Sequence, residues 1–115
     1  MSASKDEVDQ FLKDFKVKMS TFTIIFLNRE INQQSLLDLE ITPIRREEYI
    51  KSLEVVNYCD GPFTDRKYEG MNLWEFGKVI NKKEVYIKIC MGKENRPVIC
   101  VSFHIAKHKL KYAFN

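Results

Sequence analysis

No apolar run in this 115-residue chain approaches the roughly 18 residues that a membrane-spanning helix needs. The opening stretch, MSASKDEVDQ, is acidic and polar and has none of the apolar centre of a secretory leader. A soluble, cytoplasmic protein with no membrane partner is therefore expected. Cysteine is scarce: Cys59, Cys90 and Cys100 are odd in number and form no C-x-x-C pair. That argues against a disulfide framework and against a structural zinc site, and free thiols in a reducing compartment are expected. Internal repeats and low-complexity stretches are missing too. Hydrophobic residues at 44% and charged ones at 30% match a globular chain, which disfavours intrinsic disorder. The length suits one domain spanning 1–115 and leaves no room for a second core.

The net charge of +3 is small, but its distribution is uneven. Residues 1–77 hold 10 Lys/Arg against 14 Asp/Glu, and residues 78–115 hold 9 against 2. A balance of −4 is thus joined to one of +7, and the basic C-terminal third suits a surface that faces a polyanion. Lysines that merely solubilise sheet edges would give the same count.

Residues 4–19 read as an amphipathic helix. Ser4 and Glu7 have capping-box spacing, and Val8, Phe11, Leu12, Phe15 and Met19 form an apolar stripe that marks a core face. TFTIIFL (21–27) is β-branched and aromatic, a strand signal. A short helix over 31–38 would turn Leu36, Leu37 and Leu39 inward. A third, over 43–54, has Thr42 as N-cap, Pro43 at its first position and acids in its early turns. Residues 57–72 contain Asp60-Gly61-Pro62 and Gly70 and read as a loop. Strands follow at about 73–80, 84–91 and 98–104, a C-terminal β-meander over 73–104, and the alternation from Lys107 to Phe114 predicts one more. Helices followed by a meander indicate an α+β fold with an antiparallel β-sheet and about three helices on its apolar face.

Strand pairing can be worked out from alternation. Val85, Ile87 and Ile89 are apolar, as are Ile99, Val101 and Phe103, so both odd sets are expected to face the core. The index sum between these strands is then even, 188 or 190; 190 sets Tyr86 opposite His104, Lys88 opposite Ser102 and Cys90 opposite Cys100. A two-residue turn at Asn81-Lys82 gives a sum of 163 for the preceding hairpin. Trp74 and Phe76 then go to the core, Glu75 faces Lys88, and Gly77 leaves a gap beside Tyr86 open to a flat group such as a base. The uncovered face therefore carries Glu75, Tyr86, Lys88, Ser102 and His104.

A carboxylate, a phenol, an ammonium and an imidazole, with no metal-ligand spacing, suit acid–base chemistry on a polyanion without a cofactor. RNA cleavage needs a base for the 2′-hydroxyl, cations for the phosphorane and an acid for the 5′-oxygen. His104 and Glu75 can move protons, Lys88 can hold charge, and Tyr86 can donate a hydrogen bond or stack on a base. The same groups also read as an ordinary wet sheet face, with Glu75 and Lys88 a cross-strand ion pair.

The ordered set LWEFGK, EVYIKI and VICVSFH, with the helix TPIRREEYIKSL, resembles the MqsR family of bacterial type II toxins over residues 40–104, and more loosely before them. The resemblance implies a RelE/YoeB-like fold, sequence-selective endoribonuclease activity on mRNA, and silencing by a cognate antitoxin. It assigns function to Lys51, to Glu75 after Trp74, to Tyr86 and to His104 after Phe103, with Lys88 as neighbour. The family has an amide where Glu75 stands and a lysine where His104 stands. The expected catalytic set is Lys51, Glu75, Tyr86, Lys88 and His104, with Arg45, Lys78, Ser102 and Lys107 binding substrate and no metal or cofactor. A non-catalytic RNA-binding or protein-interaction module using the same basic face is the alternative.

Overall fold

The computed structural model describes residues 2–64, 67 and 71–114. Three helices, α1 (Lys5–Thr21), α2 (Glu30–Leu39) and α3 (Pro43–Lys51), accompany five strands: β1 (Ile25–Phe26), β2 (Tyr58–Thr64), β3 (Asn72–Ile80), β4 (Lys83–Cys90) and β5 (Ile99–Ile105). They form one sheet in the order β1-β5-β4-β3-β2. The fold is α+β, as expected, but the sheet is mixed, because β1 runs parallel to β5. No helix among the described residues is long and apolar enough to cross a membrane.

Helix α1 begins with the expected capping box: the Ser4 hydroxyl accepts from Glu7 N (3.2 Å) and Glu7 Oε1 from Ser4 N (3.0 Å). Its stripe of Val8, Phe11, Leu12, Phe15 and Met19 is buried. Phe11 stacks on Trp74 with ring centroids 4.2 Å apart, which fixes the helix against β3. Phe76, Ile87, Ile89 and Phe103 complete this core. Each such side chain contributes about 1.5–3 kcal/mol of transfer free energy before the entropy of ordering it. Helix α3 starts as read, with Thr42 Oγ1 accepting from Arg45 N. It stops at Lys51 rather than at 54, since Leu53 turns into the core and a 3₁₀ turn at Val55–Asn57 follows.

The β3–β4 pairing has the expected register, with Glu75 opposite Lys88 and Gly77 opposite Tyr86. Four other expectations are corrected. Residues 58–64 are a strand, not part of a loop; β2 lies at the sheet edge, where Pro62 needs no ladder partner, and the register shift between Asp60 and Phe63 accommodates Gly61-Pro62. The strand read at 21–27 shrinks to Ile25–Phe26, because α1 runs on to Thr21. Residues 107–114 form no strand; they bend at 107–108, turn at 113–114 and lie as a strap against the sheet. Leu37 is 72% exposed; the inward positions of α2 are Asn32, Ser35, Leu36 and Leu39.

Those two polar residues explain where α2 sits. The β1 ladder reaches only Ile99 and Cys100, which leaves the rest of the β5 edge without a strand. Asn32 takes that place: its Nδ2 donates to Leu27 O and Val101 O, and its Oδ1 accepts from Phe103 N, all at 3.1 Å. Ser35 Oγ accepts from Ile105 N at 3.0 Å. Val101 is the extra residue of a β-bulge, for Lys88 pairs with Ser102 but Ile89 pairs with Cys100. The 190 sum therefore holds only from Val85 to Lys88. Past the bulge Cys100 enters the helix-side core, Cys90 pairs with Ile99, and Val101 packs with Leu73 and Cys90 on the other face. Asn32→Ala strands buried groups at about 1–3 kcal/mol each; urea unfolding should show a loss on the order of 3 kcal/mol, and a loss under 1 kcal/mol would contradict this role.

Candidate active site

Alternation on β4 and the bulge on β5 set the uncovered face. Tyr86 stands opposite His104 and Lys88 opposite Ser102, with Glu75 across from Lys88 on β3. Glu75 takes its hydrogen bond from the Tyr86 phenol rather than from Lys88, so the expected cross-strand ion pair is replaced by a diagonal contact. The Lys88 ammonium lies 5.8 Å from the centre of the Tyr86 ring, within reach of a cation–π attraction. Burial, and then the bond to Glu75, hold the Tyr86 phenol well above its ordinary pKa, so it stays protonated and donates.

His104 is only 7% exposed. Its Nδ1 lies 2.9 Å from Ile105 O, and a carbonyl can only accept, so Nδ1 carries the hydrogen. In the neutral ring Nε2 then keeps its lone pair. Burial lowers the His104 pKa, the bond to Ile105 O opposes this, and the charges of Arg29, Lys107 and Lys88 lower it further. The imidazole is thus held neutral, as a base must be before it accepts a proton.

Arg29 was not foreseen. It precedes the first residue of α2, and its Nη1 donates to the buried Ser102 Oγ at 2.8 Å, which brings a guanidinium to the face. No spacing within β3–β5 signals it, because it arrives from another element. The strap is the second addition. Leu110 N and the Tyr112 hydroxyl donate to Glu84 at 2.8 and 3.0 Å, and Ala113 N donates to Tyr58 O at 3.0 Å. Phe114 stacks on the Tyr58 ring at 5.5 Å. The gap at Gly77 is filled by this strap: a β-carbon there would come within 2.5 Å of Leu110 Cδ1 and 2.7 Å of Tyr112 Oη. The alternation that read as a strand was a real signal, for Leu110 and Tyr112 turn toward the sheet while Lys109 and Lys111 remain exposed.

Between strap and sheet lies a cavity of about 220 Å³ lined by Tyr86, His104, Ala106, Lys107, His108 and Leu110. His108 is thus a second imidazole at the same cavity. No family model, no curated protein and no solved structure matches this chain.

Of the residues expected at the site, Glu75, Tyr86, Lys88, Ser102 and His104 share one face, and Lys107 joins them through the strap. Three are not brought to it. Lys78 pairs with Val85 and so projects to the helix-covered face. Lys51 and Arg45 lie on α3, which packs through Ile50 into the core on that same covered side; Lys51 is 3.9 Å from Glu47, and Arg45 pairs with Glu48. Among the described residues no three His, Cys, Asp or Glu side chains converge as metal ligands would.

Two outcomes follow. The lowered His104 pKa means that the unfolded chain binds more protons just below the ordinary value of 6.5. Stability is full above about 6.5 and falls as pH drops through the folded pKa; melting temperatures between pH 7.5 and 5 should show this slope, and His104→Gln should flatten it. Gly77→Ala pushes against the flexible ends of Leu110 and Tyr112, so the strap should lift; tryptic cutting after Lys109 and Lys111 should accelerate severalfold, and an unchanged rate would refute the close approach.

Proposed function

We propose that the chain is a metal-independent endoribonuclease, the toxin of a type II toxin–antitoxin pair, acting on mRNA. The observation that carries this reading is His104: a buried, neutral imidazole whose Nδ1 is held by Ile105 O, on a cavity bordered by Lys107 and within the electrostatic reach of Arg29 and Lys88. The resemblance of residues 40–104 to the MqsR family supports the toxin assignment, and the α+β arrangement of helices against a sheet is compatible with a RelE/YoeB-like fold. A cognate antitoxin is the partner this implies, and the cytoplasm the place of action.

In this mechanism His104 Nε2 takes the proton of a ribose 2′-hydroxyl, and the freed oxygen attacks the adjacent phosphorus in line. Arg29, Lys88 and Lys107, the three cations whose charges act on His104, balance the charge that builds on the phosphorane. The bond to the 5′-oxygen breaks as His108 passes it a proton. A 2′,3′-cyclic phosphate and a 5′-hydroxyl remain, and the proton gained by His104 balances that lost by His108. Glu75 does not act as the base here; it orients Tyr86, which holds the scissile nucleotide.

Mapping of RNA 5′-hydroxyl ends in cells induced for the wild type and for His104→Ala tests this directly and retains ribosomes. New ends sharing a short sequence are expected with the wild type. His104→Ala should lose them by about 10²-fold or more while folding normally. Full cleavage by that variant would remove His104 from the mechanism. No new ends from soluble wild-type protein would instead favour a face that binds RNA without cutting it.

A further inference from the structure

The cavity under the strap has a neighbour. A second, shallower groove is lined by Arg29, Glu30, Ile31, Gln34 and Lys107, and Lys107 borders both. The two differ in chemistry. The first is walled by the Tyr86 and His104 rings, 5.3 Å apart and tilted by 41°, and by the apolar side chains of Ala106 and Leu110. The second has a guanidinium whose position is fixed by Ser102, and an ammonium at its border with the first.

A flat, apolar-faced group beside a single anion is what such a pair of sites accepts, and a nucleotide has that form. We propose that the two sites together hold one ribonucleotide of a single strand. Its base enters the 220 Å³ cavity against Tyr86 and His104, and its 3′-phosphate lies on Arg29 and Lys107. This deepens the ribonuclease reading by naming a subsite, and it rests on that reading for its role. The ribose spans the boundary marked by Lys107, beside His104. Glu30 places a carboxylate at the same groove, which disfavours a second phosphate there. Base preference is then set by the strap, through Ala106 and Leu110, rather than by a loop between strands.

The test uses the whole chain and five probes: the four ribonucleoside 3′-monophosphates and inorganic phosphate, titrated calorimetrically. At least one nucleotide should bind 10-fold or more tighter than phosphate. Ala106→Leu, which fills the cavity, should bring that nucleotide back to the affinity of phosphate while leaving phosphate itself unchanged. Arg29→Gln and Lys107→Gln should weaken all five probes and reduce the salt dependence of binding. Transferred nuclear Overhauser effects from base protons to the Tyr86 ring provide a check that needs no variant. Nucleotides that bind no tighter than phosphate, or that ignore Ala106→Leu in a folded protein, would overturn the subsite. Cleavage of RNA without base-dependent binding would leave the ribonuclease reading standing and remove the subsite. Base-dependent binding without cleavage would do the reverse.

Discussion

One side-chain amide, that of Asn32, decides where the last strand changes register. Both its hydrogens and its oxygen are engaged, with Leu27, Val101 and Phe103. Val101 is the bulge residue, so the bulge carbonyl is satisfied from a helix and not from a neighbouring strand. An irregular edge with unpaired groups costs free energy when buried. Supplying those partners from α2 lets β5 keep the bulge and lets the sheet end there. The bulge in turn sorts side chains: Cys100 goes to the core, while Ser102 and His104 keep the same face as Lys88 and Tyr86.

That sorting explains the chemistry of the face. Ser102 is placed where it accepts from Arg29, and His104 where its ring meets Tyr86. The same helix thus sets the strand with Asn32 and Ser35 and delivers Arg29 from the position just before its first turn. Burial disfavours the charged form of the imidazole, and the three cations near it act in the same direction. Fold and acid–base character are therefore linked through α2.

Much of this was legible in the residues, and the reasons are specific. Trp74 and Phe76 alternate with Glu75 and Gly77, so the β3–β4 register could be read from polarity alone. Ser4 with Glu7, and Thr42 with Pro43, marked helix starts through local hydrogen bonding. The bulge was not legible: Ile99, Val101 and Phe103 alternate without a break, and only tertiary partners reveal the slip. Strand β2 was hidden by Gly61-Pro62, which local preference assigns to a turn. Asn32 and Ser35 carry core duties with polar side chains, so a hydrophobic pattern passes over them and promotes Leu37 instead. Arg29 and His108 reach the site from separate elements, and no spacing rule joins residues that meet only after folding.

The strap has a mechanical consequence. Its contacts with Tyr58, Gly77 and Glu84 are strung in series from Phe114 back to Leu110. A force that draws the chain from this end meets them one at a time, like a zip. Each small contact yields before the next is loaded, whereas the β3–β4 ladder would have to shear as a unit. The wall of the cavity is lost in the first few steps, while the core beneath α1 is still intact. Peeling the strap away from Phe114 onward would therefore open the cavity well before the fold is dismantled.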